Sequence, residues 1–179
     1  MFSFNRFRFH YEHVIRQDLL LKLNYDNIFL VPRIEKVVLV SKVPREYKQV
    51  PLALEMICGQ KAQQIESLGQ PTSRVNKKLT FRAKQPSYLL VRTCLRADVM
   101  YTFCEKLVTI LCFYDSNVQI QSNMIQLTIG SNLLRLFPEV QNHFELFSSA
   151  NSVQVIIVTS AKTEQETRLV WTGLNQKEL

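Results

Sequence analysis

Val153, Val155, Ile156, Ile157 and Val158 fall within one seven-residue run, 153–159, interrupted only by Gln154 and closed by Thr159. Such β-branched side chains lose rotamer freedom in a helix but pack well on a pleated surface, so the run predicts a strand and commits the chain to a sheet. Residues 34–40, opened by Pro32 and bounded by Pro44, predict another strand, and 124–129 a third. In 78–84, Leu79, Phe81 and Ala83 alternate with Lys78, Thr80, Arg82 and Lys84. In 88–96, Leu89, Val91 and Leu95 alternate with Tyr88, Leu90, Arg92, Cys94 and Arg96. A period of two puts the two sets on opposite faces of a strand. With Gln85, Pro86 and Ser87 as a tight turn, the two segments predict a hairpin whose basic side chains share one surface.

Helical signals fill the intervals. Residues 10–23 place Tyr11, Val14, Ile15, Leu19 and the Lys22 stem on one side. A short helix over 52–58 is stopped by Gly59, and Asp98 is positioned as N-cap of a helix over 99–112 whose stripe is Met100, Phe103, Leu107, Ile110 and Leu111. Thr163 and Glu166 have capping-box spacing for a last helix carrying Leu169, Val170 and Leu174. Residues 62–76 and 115–123 read as loops. Phe137, Pro138 and Glu139 mark a turn before a short segment around Phe144 and Phe147. No repeat or Gly/Ser linker divides the 179 residues. The expectation is a single α+β domain over 1–179, with 1–9 as an N-terminal extension, built as a largely antiparallel sheet with helices packed on one face.

The distribution of charge says what the other face is for. The chain carries +7 overall, but residues 1–30 hold four basic and three acidic side chains and residues 97–179 hold five against eight. Residues 31–96 hold thirteen basic against four acidic, so the whole excess lies in that stretch. A face kept in solution by charge needs no such segregation, whereas a surface that displaces counterions from a polyanion does. The face free of helices is therefore expected to bind RNA. Phe81 alternates with the cations rather than joining them, so base stacking of the recognition-motif kind is not expected, and phosphate and shape recognition of a folded RNA is.

Other chemistries lack their parts. Cys58, Cys94, Cys104 and Cys112 form no CxxC pair and sit in apolar contexts, as small hydrophobes in a reducing compartment do. His10 and His13 could share a helix face as ligands of a metal-dependent hydrolase, but no cysteine or carboxylate pattern completes the site, and no metal is expected. Four glycines supply neither a dinucleotide fingerprint nor a P-loop, so no cofactor is expected. Ser160, Thr159 and Thr163 sit at a strand-to-helix junction without a nucleophile elbow and read as capping groups. The chain is read as non-enzymatic. Its longest apolar run, 107–114, is too short to cross a bilayer, so no membrane partner is expected.

Several blocks resemble the bacterial-type large-subunit ribosomal protein L five family. They are Asn24 and Tyr25; Val31 through Lys36; Gly59, Gln60 and Lys61; Leu95 and Arg96; Met100 through Leu107; Phe137, Pro138 and Glu139; and Val158 through Thr163. The blocks keep the family's order over 11–175. His143, Phe144, Glu145, Leu146 and Phe147, with Leu169, Val170, Trp171, Thr172 and Gly173, look like the plant mitochondrial branch. The resemblance implies a structural constituent of the large subunit in the mitochondrion. Such a protein would anchor 5S ribosomal RNA (rRNA) to the large-subunit rRNA in the central protuberance. Its other implied neighbours are ribosomal proteins, a small-subunit protein across an intersubunit bridge, and the peptidyl-site tRNA. The implied RNA-binding residues are Lys42, Gln60, Lys61, Arg74, Lys77, Lys78, Arg82, Lys84, Arg92 and Arg96.

The chain departs from the family in places. Leu39, Val40, Ser41 and Lys42 stand where the family has Leu-Asn-Met-Gly, which removes an RNA-contacting asparagine, and Cys94 stands where a threonine is common. The stretch 59–96 is several residues longer. The loop that approaches tRNA is shorter at 113–123 and nearly uncharged, so only weak tRNA contact is implied. The competing reading is an extraribosomal RNA-binding module, a splicing or RNA-chaperone factor using the same basic plate.

Overall fold

The fold is organised around β1 (Ile34–Pro44) and β6 (Ser152–Thr159), antiparallel neighbours at the centre of a six-stranded sheet. The computed structural model describes residues 5–44, 49–66, 88–114, 117–143 and 152–175. Its helices are α1 (Arg6–His10), continued through a π-helical turn (Tyr11–Ile15) into α2 (Arg16–Leu23), then α3 (Gln49–Cys58), α4 (Ala97–Phe113), α5 (Ser131–Leu134), α6 (Pro138–Gln141) and α7 (Glu164–Asn175). The remaining strands are β2 (Gln63–Glu66), β3 (Tyr88–Leu95), β4 (Val118–Ile120) and β5 (Met124–Gly130). Strand order is β2-β3-β1-β6-β5-β4, and every pairing is antiparallel. The expected α+β architecture is what the chain adopts.

Register assigns the faces. Val37, Leu39, Ser41 and Val43 of β1 are buried together with Val91, Thr93 and Leu95 of β3, Val153, Val155 and Ile157 of β6, and Ile125, Leu127 and Ile129 of β5. Against this side lie the buried stripes of α3 (Val50, Ala53, Leu54, Ile57), α4 (Met100, Phe103, Leu107, Ile110, Leu111) and α7 (Val170, Trp171, Leu174). The α4 stripe is the one its 3.6-residue period predicts. Cys58 and Cys104 belong to this core, and burial pushes both thiols up to about 12, where they are inert hydrophobes.

Several local expectations give way to stronger interactions. Asp98 does not cap α4. The helix opens two residues earlier, with Arg96 as N-cap, and Asp98 in the first turn pairs with Arg8 at 2.7 Å. The same tie draws the N-terminal helix forward to Arg6, because Asn5 accepts hydrogen bonds from the Phe7 and Arg8 N–H groups and donates to the Asp98 carbonyl. Val14 is exposed, although Tyr11 and Ile15 are buried, because the wider π turn rotates it off the apolar side. Loops expected over 62–76 and 115–123 contain β2 and β4. Between Leu89 and Arg92, β3 has β1 on one edge and β2 on the other; the expected hairpin falls on 78–84 and 85–87, which lie outside the described residues. The segment around Phe144 and Phe147 is likewise outside them.

The capping box of α7 holds. The Glu166 N–H donates to the Thr163 hydroxyl at 3.3 Å, and the Glu166 carboxylate accepts from the Lys162 N–H at 2.9 Å. Burial pushes this carboxyl up, yet the Lys162 and Thr163 hydrogen bonds and the Tyr25 hydroxyl together outweigh it and hold it below the ordinary value of 4.5. A depressed folded-state pKa contributes stability that is present above the unfolded value and lost as pH falls through the folded one. Glu166→Gln should therefore be less stable than the parent at neutral pH, with the gap closing below pH 4.5. Urea melts across pH check this, and a gap that stays constant would contradict it.

Candidate RNA interface

The face opposite the helices carries the even-numbered side chains of β1 and their register partners. Gln63 pairs with Arg92, Arg92 with Val40, Val40 with Gln154, and Gln154 with Thr128, one row across five strands. One step along, Ile65, Leu90 and Lys42 form a parallel row, and one step the other way lie Cys94, Val38, Ile156, Gln126 and Gln119. Lys42 and Arg92 are both exposed and diagonal to each other on adjacent strands. Alternation within β1 and β3 puts them there, because each flanking residue faces the core: Ser41 and Val43 about Lys42, Val91 and Thr93 about Arg92.

Gln60 and Lys61 are exposed at the corner between α3 and β2. The corner is set by Gly59, whose φ of +64° ends α3 in the left-handed region, and by the Ala62 N–H, which donates to the Glu55 carboxylate at 2.8 Å. β2 then places Gln63 beside Arg92, so the corner leads onto the cationic part of the sheet. Arg96 is exposed where β3 ends and α4 begins. Arg74, Lys77, Lys78, Arg82 and Lys84 lie outside the described residues.

The electrostatics of these cations differ from those elsewhere. Arg6 pairs with Glu105, Arg8 with Glu12 and Asp98, Lys106 with Glu139, and Arg168 with Glu164. Among the described residues, Lys42, Lys61, Arg92 and Arg96 have no carboxylate within salt-bridge distance. Among the described residues, Arg6, Arg8, Lys106 and Arg168 outside 31–96 are thus paired with carboxylates, whereas the described cations within it are not and keep their field for a partner, which favours a polyanion.

Sequence reasoning missed Lys36 and Gln63, which share this face. Lys36 could have been found from its even-numbered spacing to Lys42 on one strand. Gln63 gave no signal, since its strand is only four residues long and polar at its start. No cluster of three or more metal-ligating side chains occurs among the described residues. His10 lies at the α1 end against α4, with Arg6, Phe7, Glu105, Val108, Thr109, Cys112, Leu174 and Asn175 around an open depression, away from the sheet face.

No family model matches the chain. Among curated proteins, the large ribosomal subunit protein uL5m of Reclinomonas americana is 30% identical over 181 residues, covering 94% of this chain and 95% of that protein.

Proposed function

Since the chain belongs to the family of the large ribosomal subunit protein uL5m, we propose that it binds 5S rRNA through the helix-free face of its sheet and anchors that RNA to the large-subunit rRNA. Membership of this family's mitochondrial branch makes it a structural, non-enzymatic constituent of the large subunit of the mitochondrial ribosome. Ribosomal RNA and neighbouring ribosomal proteins are its partners. The plant assignment within that branch rests on the C-terminal residues named above and is part of the proposal.

The observation that carries the RNA-binding surface is the set of unneutralised cations on one face. Lys42 and Arg92 point the same way from adjacent strands, with the Gln60–Lys61 corner beyond them on the β2 side, and no carboxylate among the described residues competes for them. Cations held in this way favour phosphate contacts, which position an RNA, over base readout. Arg74, Lys77, Lys78, Arg82 and Lys84 extend the same proposal through the sequence between β2 and β3. Weak contact with the peptidyl-site tRNA is favoured by the reduced 113–123 loop. Three of its residues are tied into the sheet as β4, and the Gln121 N–H closes a tight turn onto the Met124 carbonyl. A small-subunit bridge protein completes the proposed partners.

Binding to 5S rRNA separates this reading from that of an extraribosomal module. The chain should bind 5S rRNA more tightly than a transfer RNA at equal salt, and should stay with large subunits through a salt wash. Equal affinity for both RNAs together with free protein after the wash would favour the module.

A further inference from the structure

We propose that the turn at Ile28, Phe29 and Leu30, between α2 and β1, is a docking knob for a neighbouring protein of the large subunit, one that offers an apolar pocket with a basic rim. The inference rests on the chain's place in that subunit and not on how it holds 5S rRNA.

Ile28, Phe29 and Leu30 are 46%, 74% and 56% exposed. The other large apolar side chains exposed among the described residues stand singly in the sequence, which is ordinary for a protein surface; three in succession are not. The turn is also held in shape. The Leu30 N–H donates to the Asn27 carbonyl at 3.0 Å, the Phe29 N–H to the Asn27 side-chain oxygen at 3.0 Å, and the Arg16 guanidinium to the Ile28 carbonyl at 3.2 Å. Both ends are anchored. Before the turn, the Tyr25 N–H donates to the Leu20 carbonyl at 3.3 Å; after it, Val31 is buried and the Pro32 carbonyl accepts from the Tyr11 hydroxyl at 3.2 Å. Arg16 keeps its place although its Nε is buried without a partner, an arrangement that costs free energy. A turn braced in this way loses little conformational freedom on binding, so its side chains can act as anchors.

The chemistry of the knob selects a protein over RNA. From Leu23 to Pro32 the one charged side chain is Asp26, which is exposed and has no cation within salt-bridge distance among the described residues. Arg16 is engaged with the Ile28 carbonyl, and Arg33 follows only after the buried Val31 and Pro32. Phosphates laid on the turn itself would meet a negative charge in place of the cations that hold an RNA backbone. Ile28 and Leu30 have neither a ring to stack on a base nor a side-chain donor for its edge. An apolar pocket accommodates all three side chains, with Phe29 as the central anchor, and a lysine or arginine on its rim would pair with Asp26.

The test begins with a photoreactive phenylalanine analogue at position 29 of the full chain, assembled into intact large subunits, which should crosslink to one protein and not to RNA. That protein, purified, should bind the isolated full chain. Phe29→Ser should weaken this binding by about 30-fold, as loss of a central anchor does, and Phe29→Leu by only about threefold. Asp26→Asn should weaken it by about threefold and reduce its salt dependence. Because the turn is exposed, melting temperatures of all three variants should match the parent's. The affinity of Phe29→Ser for 5S rRNA should match it too, so this inference and the proposed RNA interface can fail separately. Crosslinks from position 29 to rRNA, the absence of any protein crosslink, or a crosslinked protein that binds parent and Phe29→Ser equally would each overturn the inference. So would weakened 5S rRNA binding by Phe29→Ser, which would give the turn to the RNA. A dimer of the isolated chain that Phe29→Ser dissolves would also overturn it, since the occupant would then be a second copy.

Discussion

Trp171→Ala is expected to lower the free energy of unfolding by about 3–5 kcal/mol, the usual cost of truncating a large aromatic side chain in a closed core. Trp171 is 1% exposed, one of the largest fully buried side chains, and sits on the buried side of α7 with Val170 and Leu174. That helix packs on α2, the π turn, α4, β4 and β5, so the cavity would open where the N-terminal helix, the long helix and the outer half of the sheet meet. The surroundings have little room to collapse. Ile15 Cγ2 already stands 3.0 Å from where a Cβ on Gly173 would be. For a chain of this size the loss corresponds to a fall of roughly 6–20 °C in melting temperature. It would consume a fifth or more of a typical domain's stability of about 5–15 kcal/mol. Thermal and urea melts measure it, with Trp171→Phe as the milder comparison. A loss below 1 kcal/mol would mean that α7 does not close the core.

Lys42→Glu combined with Arg92→Glu is expected to weaken 5S rRNA binding by about 100-fold at moderate salt, taking each lost or reversed phosphate contact as roughly 1–1.5 kcal/mol. The two side chains are exposed, diagonal across β1 and β3, and without an acidic partner among the described residues. Reversal therefore removes two attractions and adds two repulsions without breaking an internal ion pair. Stability should stay within about 0.5 kcal/mol of the parent, as for other surface changes. The matched control is Arg168→Glu on α7, which faces away from the sheet and is neutralised by Glu164 at 2.9 Å. That variant should bind almost normally. Comparable loss from both variants would show a diffuse charge effect rather than a surface.

What the sequence disclosed follows from the range of the forces involved. Local periodicity located 34–40, 124–129 and 153–159 as strands and the α4 stripe as a core face, because a side chain's facing is decided within a few residues. The Thr163–Glu166 cap was legible for the same reason. The misplaced features depend on distant partners. Asp98 looks like a cap until Arg8 and Asn5 arrive from 90 and 93 residues away. Four residues such as Gln63–Glu66 form a strand only because β3 offers an edge, and Val118–Ile120 only because β5 does. The candidate site shows the same division. Charge counting placed the basic stretch, and alternation put Arg92 outward. That Lys42 and Arg92 lie on one face and that Lys36 joins it required the register between strands.

The central claim is that the helix-free side of the sheet, and not the helical side, meets the 5S RNA. Photo-crosslinking from defined positions in intact large subunits measures this most directly. A photoreactive residue at Gln63 on the sheet face should crosslink to 5S rRNA, whereas one at Gln165 in the exposed first turn of α7 should not. Crosslinks to 5S rRNA from position 165, with none from position 63, would contradict the account.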